Sequence, residues 1–209
     1  MIKPFSGKKI AYSFGINDDV AWDLQMANEG YELYQFDHTI NKLPQKNASF
    51  HWYKLGLTGG AETDCKKNIE TILALNGHLG TQNLLLKMDI EGDEWAVFAN
   101  CSQQILEQFD QITVEFHGLE EYNRDLVITA LENLSKTHAV IHIHINNHCR
   151  QLYCGNLVLP QTIEVTYIKK GLYDLKKCAS ILPEYLDTAN NRLLPDFWLG
   201  EWNIPHCSF

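Results

Sequence analysis

The stretch Asn83-Leu84-Leu85-Leu86-Lys87-Met88-Asp89-Ile90-Glu91-Gly92 decides how the rest of this sequence is interpreted. Its first six residues form a short and mostly apolar run, which is typical of a β-strand buried on both faces of a parallel sheet. Charged residues and a glycine follow at once, so the strand should end in a loop that begins at Asp89.

Nearer the N-terminus, a second apolar run also ends in a tight turn. Residues 8–14 predict a strand and Gly15 a turn, after which the polar side chains at 17–19 can cap a helix. The apolar residues expected to form one buried face of that helix are Val20, Ala21, Leu24 and Ala27. Gly30 suits the position after a helix, which should therefore end near Glu29.

Strand and helix patterns alternate along the remaining chain. Further strands are predicted at 31–36, 51–55, 83–88, 111–116, 138–146 and 163–168, and helices at 63–76, from Glu94, from Ser102 and at 119–134. This order predicts the α/β class: a Rossmann-like, mostly parallel seven-stranded sheet with one antiparallel strand and helices on both faces. We expect a single domain over 1–209, with a core at about 8–170 and an irregular aromatic extension at 171–209.

Composition limits the classes of function. The net charge of −9 disfavours nucleic acid as a partner, because most of the surface would repel a phosphate backbone. No apolar run is long enough to span a bilayer, the N-terminus lacks a signal-peptide core, and we expect a cytoplasmic protein. The six cysteines are interpreted as reduced thiols. A zinc site among residues 142–154 is conceivable, but its spacing follows no familiar pattern.

The strand ends are where ligands bind in such folds. Gly15 would let the backbone approach a ligand closely, and Asp37, at the end of the next strand, could accept hydrogen bonds from ribose hydroxyls. With a single glycine, the turn matches a pyrophosphate-binding loop poorly. A nucleoside without phosphates suits it better.

Four carboxylates follow the strand at 83–88: Asp89, Glu91, Asp93 and Glu94. They could bind the ammonium group of a cofactor, act as a general base, or hold a divalent metal through oxygen ligands. Asp93 and Glu94 also suit the first turn of a helix, where the helix dipole favours acidic residues. Asp89 and Glu91 are therefore the stronger candidates for chemistry.

Histidines mark two further strand ends. His117 follows a predicted strand and could take a proton from a substrate hydroxyl at neutral pH. His144 lies on the polar face of the strand at 138–146, and Asn146 and Asn147 lead into the loop after it. Because the next strand is antiparallel, that loop leaves from the same edge of the sheet and is a candidate wall of the substrate site.

Four segments resemble successive motifs of the FkbM-type and related methyltransferase-like families: Tyr12-Ser13-Phe14-Gly15, Tyr34-Gln35-Phe36-Asp37, Leu86-Lys87-Met88-Asp89-Ile90-Glu91-Gly92-Asp93-Glu94-Trp95 and Val114-Glu115-Phe116-His117. The block at 87–95 is the most specific and is close to the family pattern K-x-D-x-E-G-x-E-W. Residues 142–147, 159–160 and 163–167 are similar to a bacterial branch often associated with surface-polysaccharide gene clusters. The resemblance covers about residues 10–170.

This resemblance implies a class I methyltransferase fold and transfer of a methyl group from S-adenosylmethionine, most often to oxygen. The implied cofactor-binding residues are Ser13, Phe14, Gly15, Asp18, Asp37, Gly56, Leu57, Thr58 and Asp89. Asp37 would hold the ribose, and 56–58 would border the adenine. The family's fuller turn has more glycines than this chain, which leaves the contacts of Asn17 and Asp18 open.

The expected reaction is O-methylation of a sugar or a sugar-linked group for capsule or another surface polysaccharide. We expect His117 to act as the base with Asp89 or Glu91 assisting, and His144, Asn146 and Asn147 to place the saccharide acceptor. A divalent metal held by Asp89, His117 and a further carboxylate is an alternative that the sequence does not favour. The rivals are a metal-dependent nucleotide-sugar glycosyltransferase using Asp89 and Glu91, and a binding module without a cofactor. The sequence does not indicate an oligomeric state.

Overall fold

The computed structural model describes residues 8–118, 124–149, 151–154 and 157–207. Its central element is a seven-stranded sheet made of β1 Ile10–Phe14, β2 Glu32–Phe36, β3 Phe50–Tyr53, β6 Leu84–Met88, β7 Phe109–Phe116, β8 His138–Ile145 and β11 Ile163–Lys169. The spatial order is β3-β2-β1-β6-β7-β11-β8, with β11 antiparallel to both of its neighbours and the other pairs parallel. The predicted Rossmann-like fold is therefore confirmed.

Three strand pairs lie outside this sheet: β4 Gly56–Leu57 with β5 Lys66–Lys67, β9 Gln151–Cys154 with β10 Leu157–Pro160, and β12 Leu175–Leu182 with β13 Gly200–Cys207. The helices are α1 Ala21–Asn28, α2 Ile69–Leu75, α3 Glu94–Asn100, α4 Gln103–Leu106 and α5 Arg124–Thr137. None of these helices is long and apolar enough to cross a bilayer.

The larger core lies between the sheet and helices α2 to α5. Alternate residues of the central strands, such as Tyr12, Leu86 and Val114, point into it and meet Phe98 of α3 and Leu134 of α5. The apolar side chains removed from water here supply the main favourable free energy of folding. The helix predicted at 119–134 corresponds to α5, and its first five predicted residues lie outside the described residues.

Helix α1 covers the opposite face of the sheet, and its predicted apolar face is wrong in part. Ala21 is exposed, whereas Trp22, Met26 and Ala27 pack against a small cluster around Leu33. The buried position of the helix is taken by Asp23, which accepts a hydrogen bond from Gln35 Nε2 at 2.8 Å. A polar contact, which the apolar spacing could not indicate, therefore orients this helix. The predicted end near Glu29 is confirmed.

The second predicted helix is shorter than expected. Residues 63–67 form a turn and strand β5 instead, in which the backbone N–H of Lys66 donates to Thr63 Oγ1 and Gly56 N–H donates to the carbonyl of Cys65. Asn68 then caps α2 by accepting from the N–H of Thr71. The pairing with β4, ten residues earlier in the chain, thus overrides the helical spacing of residues 63–67.

The C-terminal extension is not irregular throughout, contrary to expectation. Strands β12 and β13 pair antiparallel over eight residues each. The segment between them returns to strand β8, where Asp187 lies 2.9 Å from His142 Nε2 and Asp196 lies 3.1 Å from His144 Nε2. These contacts cover the polar face of β8.

Candidate active site

Two neighbouring cavities open at the carboxyl ends of the central strands. The Gly15 cavity, of about 240 Å³, lies beside the ends of β1 and β2, and the His117 cavity, of about 490 Å³, lies beyond β6 and β7. Asp89 and Glu91 line both cavities. Two ligands bound in these cavities would therefore meet at these two carboxylates.

The Gly15 cavity has a mixed wall. Its described lining residues are Gly15, Asn17, Phe36, Asp37, His38, Thr39, Gly56, Leu57, Lys66, Asp89, Ile90 and Glu91. The apolar side chains can contact a flat ring, and the polar side chains and exposed backbone can fix its orientation, which is the usual composition of a small-molecule site.

Gly15 allows two loops to touch. Its φ of +77° lies in the left-handed region, and a Cβ added to it would stand 1.5 Å from the carbonyl oxygen of Asp89. The ammonium group of Lys87 donates to the carbonyl of Gly15 at 2.6 Å and lies 3.8 Å from Asp89 Oδ2. The turn after β1 is thereby fixed against the loop after β6.

Asp37 fixes the other side of this turn. Its Oδ2 accepts from the backbone N–H groups of Ile16 at 3.0 Å and Asn17 at 2.9 Å, and its Oδ1 accepts from the N–H and hydroxyl of Thr39 at 2.7 and 2.6 Å. Burial alone would raise its pKa, but these four hydrogen bonds outweigh burial and lower the pKa of Asp37 to about 2. Both oxygens thus already serve the turn, and the role of Asp37 with a ribose stays a prediction.

Glu91 and Asn17 hold unusual backbone conformations beside the Gly15 cavity. Glu91 has a φ of +58° and Asn17 a φ of +46°, in a region that costs most residues about 1 kcal/mol or more. Such strain clusters at functional sites because the surrounding structure must maintain it. For Glu91 it accompanies a side chain that is 81% exposed at the junction of the two cavities.

The His117 cavity is strongly acidic. Its described lining residues are Asp89, Glu91, Gly92, Glu115, His117, Gly118, Asn146, His148, Cys149, Gln161 and Thr162. Asn146 Nδ2 donates to Glu115 Oε1 at 2.7 Å, which ties the loop after β8 to the end of β7. Burial raises the pKa of both Asp89 and Glu115.

Carboxylates surround His117. Its Nδ1 lies 3.1 Å from Glu94 Oε1, and its Nε2 lies 3.5 Å from Glu91 and 3.8 Å from both Asp89 and Glu115. Burial lowers its pKa, but the hydrogen bond and charge of Glu94, followed by the charges of Glu115 and Glu91, outweigh burial and raise the pKa to about 9. His117 can act as a base, or bind a metal ion through Nε2, only when that nitrogen carries no proton, and its expected role as the base stays a prediction.

Glu94 has a larger role than that of a helix-dipole residue. Its side chain is fully buried and accepts from the N–H groups of Ile90 at 2.9 Å and Gly92 at 3.0 Å in addition to its contact with His117. Since Glu94 is in the first turn of α3, it joins that helix, the loop after β6 and the end of β7. Sequence reasoning missed this contact because its partners are 23 residues apart.

Several predicted cofactor-binding side chains lie outside the Gly15 cavity. Ser13 and Phe14 are fully buried, Asp18 is exposed, and none of the three lines the cavity. Thr58 lines a separate pocket beside α2 and α3. Gly15, Asp37, Gly56, Leu57 and Asp89 line the cavity as expected. Binding through these five residues stays a prediction.

The predicted acceptor residues also divide into two groups. Asn146 lines the His117 cavity, whereas His144 and Asn147 are buried under the C-terminal extension. Both ring nitrogens of His144 contact carboxylates, at 3.0 Å for Glu164 and 3.1 Å for Asp196. The Asn147 amide donates to the carbonyls of Asn191, Leu194 and Pro195. The structure thus gives His144 and Asn147 packing contacts, and their role with an acceptor stays a prediction.

The sequence indicated some residues of the site only weakly. Glu115 lies two residues before the predicted His117, which follows the last residue of β7, so the alternation of the strand predicts that both point to the same side. His38 and Thr39 come from the loop after β2 and Lys66 from the short strand β5, and we find no local signal that places them in the site.

The Gly15 cavity offers an apolar wall and polar groups to a ligand. Phe36, Leu57 and Ile90 form the wall, and Asn17 and Lys66 offer polar contacts. The space that a Cβ of Gly15 would fill is taken by the carbonyl oxygen of Asp89, so the close approach of a ligand to Gly15 stays a prediction. In the His117 cavity, Asp89, Glu115 and His117 bring their ligand atoms within 4.8 Å of one another, which is a spacing that a metal ion could bridge. The site thus combines a small cavity of mixed lining with a larger, acidic second cavity.

Comparison with solved structures gives low similarity. A candidate hemolysin from Streptococcus thermophilus is 11% identical, with a TM-score of 0.45, over 80% of this chain and 62% of that chain. A candidate methyltransferase from an antibiotic biosynthesis pathway of Anabaena variabilis is 9% identical, with a TM-score of 0.40, over 68% and 61%. A candidate rRNA methylase from Clostridium thermocellum is 10% identical, with a TM-score of 0.41, over 78% and 88%. We draw no conclusion about activity from these values.

Comparison of sequences is more informative. No family model matches the chain. A human protein described as a probable methyltransferase-like protein 24 is 28% identical in an alignment 122 residues long, which covers 51% of this chain and 32% of that protein. The chain thus spans about a third of the length of the curated relative that it matches. Its sequence is similar, over about half of its length, to that of a methyltransferase-like protein.

Proposed function

We propose that this protein is an S-adenosylmethionine-dependent methyltransferase. The observation that carries the proposal is the shared wall of Asp89 and Glu91 between two cavities at the carboxyl edge of a Rossmann-like sheet. Group transfer needs donor and acceptor held side by side in a fixed orientation, and two adjoining cavities meet that need. The sequence similarity to a methyltransferase-like protein supports the same class.

In this proposal the Gly15 cavity binds the cofactor, which supplies a methyl group already activated by its sulfonium. Gly15 and Asn17 would present backbone to the cofactor, Leu57 and Ile90 would border its adenine, and Asp37, which maintains the turn, would lie on the side of the ribose. The protein's remaining tasks are to align the acceptor and to receive its proton.

We place the acceptor in the His117 cavity and propose a sugar hydroxyl as the methylated group. The polar wall of Glu115, Asn146 and Thr162 offers hydrogen-bond partners for hydroxyls. The proton passes to a carboxylate of the shared wall, Asp89 or Glu91, while His117 holds these carboxylates in place. The finer assignment to capsule or another surface polysaccharide rests on the motif resemblance alone.

Thermal unfolding with candidate ligands tests the class of enzyme. S-adenosylhomocysteine at about one hundred times its Kd should stabilise the fold by about 2.7 kcal/mol, which raises the Tm by roughly 5–10 °C for a chain of this length. Nucleoside diphosphates with manganese serve as the comparison. Stabilisation by the diphosphates alone would favour a glycosyltransferase. If neither kind of ligand stabilises the fold, a binding module without a cofactor is favoured. Either outcome rejects the proposal.

Methyl transfer from labelled cofactor to a set of saccharides tests the acceptor class. Asp89→Asn and Glu91→Gln separate the two candidate proton acceptors, and loss of the base should lower kcat by about 10²–10⁴-fold. Binding of S-adenosylhomocysteine is measured in both variants, because both side chains also line the Gly15 cavity, so that loss of turnover is separated from loss of cofactor binding. Full turnover in both variants would show that neither Asp89 nor Glu91 accepts the proton.

A further inference from the structure

We propose that Asp89, Glu115 and His117 form a binding site for one divalent metal ion in the His117 cavity. The three residues belong to two adjacent strand ends, β6 and β7, so the sheet fixes their spacing. The wall of the His117 cavity holds several carboxylates around one imidazole. Neighbouring carboxylates repel one another unless a cation lies between them.

The distances between the candidate ligand atoms suit a single ion. His117 Nε2 lies 3.8 Å from Asp89 Oδ1 and 3.8 Å from Glu115 Oε1. These separations are too long for hydrogen bonds. The three ligand atoms all lie within 4.8 Å of one another, so an ion between them can stand at roughly 2.2–2.5 Å from each, which is close to ordinary metal–ligand distances for oxygen and nitrogen.

Asp89 Oδ1 provides a second observation. This atom is shielded from solvent and has no hydrogen-bond partner, although buried polar atoms are nearly always paired. It is the atom of Asp89 that faces His117 Nε2. A cation between them would give Asp89 Oδ1, which has no hydrogen bond and lies 3.8 Å from His117 Nε2, a direct partner.

The contact between His117 and Glu94 provides a third observation. Glu94 is fully buried, is held by two backbone N–H groups, and contacts Nδ1 of His117 at 3.1 Å. Histidines that bind metals usually donate one ring N–H to a carboxylate or carbonyl, which directs the other nitrogen at the ion. Here that arrangement leaves Nε2 facing Asp89 and Glu115.

The donor set indicates the class of ion. Two carboxylates and one imidazole combine the oxygen ligands preferred by magnesium and manganese with a nitrogen ligand preferred by zinc and iron. Manganese(II) accepts both kinds and can be followed by electron paramagnetic resonance. Neighbouring sugar hydroxyls would complete its coordination, and this part of the inference rests on the proposed function, whereas binding of the ion does not.

The experiment titrates Mn²⁺ into the full chain after treatment with a chelator and measures free and bound ion by electron paramagnetic resonance. We expect one bound ion per chain and a nitrogen coupling in the pulsed spectrum of the bound ion. Glu115→Gln should weaken binding at least about tenfold, and Glu94→Gln about 10–100-fold, because Glu94 orients the imidazole. Asp93→Asn, in the same loop but in neither cavity, should bind as the unmodified chain does.

Matched histidine variants identify the nitrogen. His117→Gln should abolish the coupling, whereas His148→Gln, which removes another histidine of the same cavity, should keep it. The proposal is overturned if the unmodified chain does not bind one Mn²⁺ ion, or if the spectrum of its bound ion shows no nitrogen coupling. Both results are obtained without any variant. Binding of S-adenosylhomocysteine is measured in parallel: if it fails while Mn²⁺ binds at His117, only the proposed function is rejected.

Discussion

Gly15 permits the close contact between the turn after β1 and the loop after β6. Gly15→Ala would add a Cβ 1.5 Å from the carbonyl oxygen of Asp89 at a residue with a positive φ. The left-handed backbone alone costs about 1–2 kcal/mol, and the overlap forces the two loops apart. We expect a loss of at least about 3 kcal/mol in the free energy of unfolding, measured with urea.

Gly77→Ala is the matched control for this substitution. Gly77 has a φ of +71°, but nothing lies within 4 Å of the point that a Cβ would occupy, so its substitution carries the backbone cost alone. Equal losses of stability in the two variants would show that the close contact between Gly15 and Asp89 adds nothing to the cost of the substitution.

The lowered pKa of Asp37 predicts that its contribution to the stability of the fold depends on pH. Its pKa is lowered to about 2 in the folded chain, so its contribution to stability is present above its unfolded pKa near 3.9 and is lost as the pH falls through 2. Asp37→Asn should destabilise the protein by about 2–3 kcal/mol near pH 6, because the amide cannot accept four hydrogen bonds. Urea unfolding of both proteins should give a difference that shrinks below pH 4. A difference independent of pH would contradict the assignment.

A residue of the site could be predicted from the sequence when its position at the end of a strand is what brings it to the site. Asp37, Asp89 and His117 follow apolar runs, so their strand-end location follows from the pattern of the chain alone. The contact of Glu94 with His117 could not be predicted, because a helix-dipole residue and a ligand-positioning residue have the same local sequence.

Strand β8 and the C-terminal extension are joined by charge. The hydrogen bond to Glu164 raises the pKa of His144, burial opposes it, and Asp196 adds to the rise, which brings the pKa to about 9. The pKa of Glu164 is lowered, as expected of its partner, although burial opposes that shift. His142 and Asp187 lie beside this group on the same face.

His144→Gln should therefore have a pH-dependent effect. Because the folded pKa is raised, the stabilisation is full below the unfolded pKa near 6.5 and disappears as the pH rises through 9. We expect up to about 3 kcal/mol at pH 6 and little at pH 10, from urea unfolding at each pH. His51→Gln, which removes an exposed pair with Glu32, is the control and should change stability by under about 1 kcal/mol throughout. A constant loss across the range would assign His144 a packing role without charge.

Strands and helices could be predicted where the local sequence pattern favours the same structure as the contacts with neighbouring elements. The strands of the main sheet combine apolar runs with turn residues, and all seven are found where the sequence places them. Strands β12 and β13 were not predicted, because β12 is Leu-Lys-Lys-Cys-Ala-Ser-Ile-Leu, without clear alternation, and its partner begins 18 residues after it ends. This pairing is set by contacts distant in the sequence, whereas α2 is shortened by the pairing of β5 with β4, ten residues earlier.

For the whole molecule, the predicted division into a core and an extension raises the question of whether the core is stable alone. Residues beyond 170 supply Asp187 and Asp196 to the histidines of β8, and three backbone carbonyls to the buried amide of Asn147. Removing them would leave His144 and Asn147 without these partners. The extension therefore contributes to the fold and does not merely follow it.

A chain ending at residue 170 tests this. Loss of one partner of a buried ion pair costs about 3–5 kcal/mol, which is a large part of the 5–15 kcal/mol that stabilises a typical domain. We expect the shortened chain to unfold without a cooperative transition in urea, followed by circular dichroism. Leu193→Ser in the full chain removes an apolar side chain that is 93% exposed in the same segment, and it should alter stability by no more than about 0.5 kcal/mol. Cooperative unfolding of the shortened chain at the same urea concentration would show that residues 8–170 fold independently.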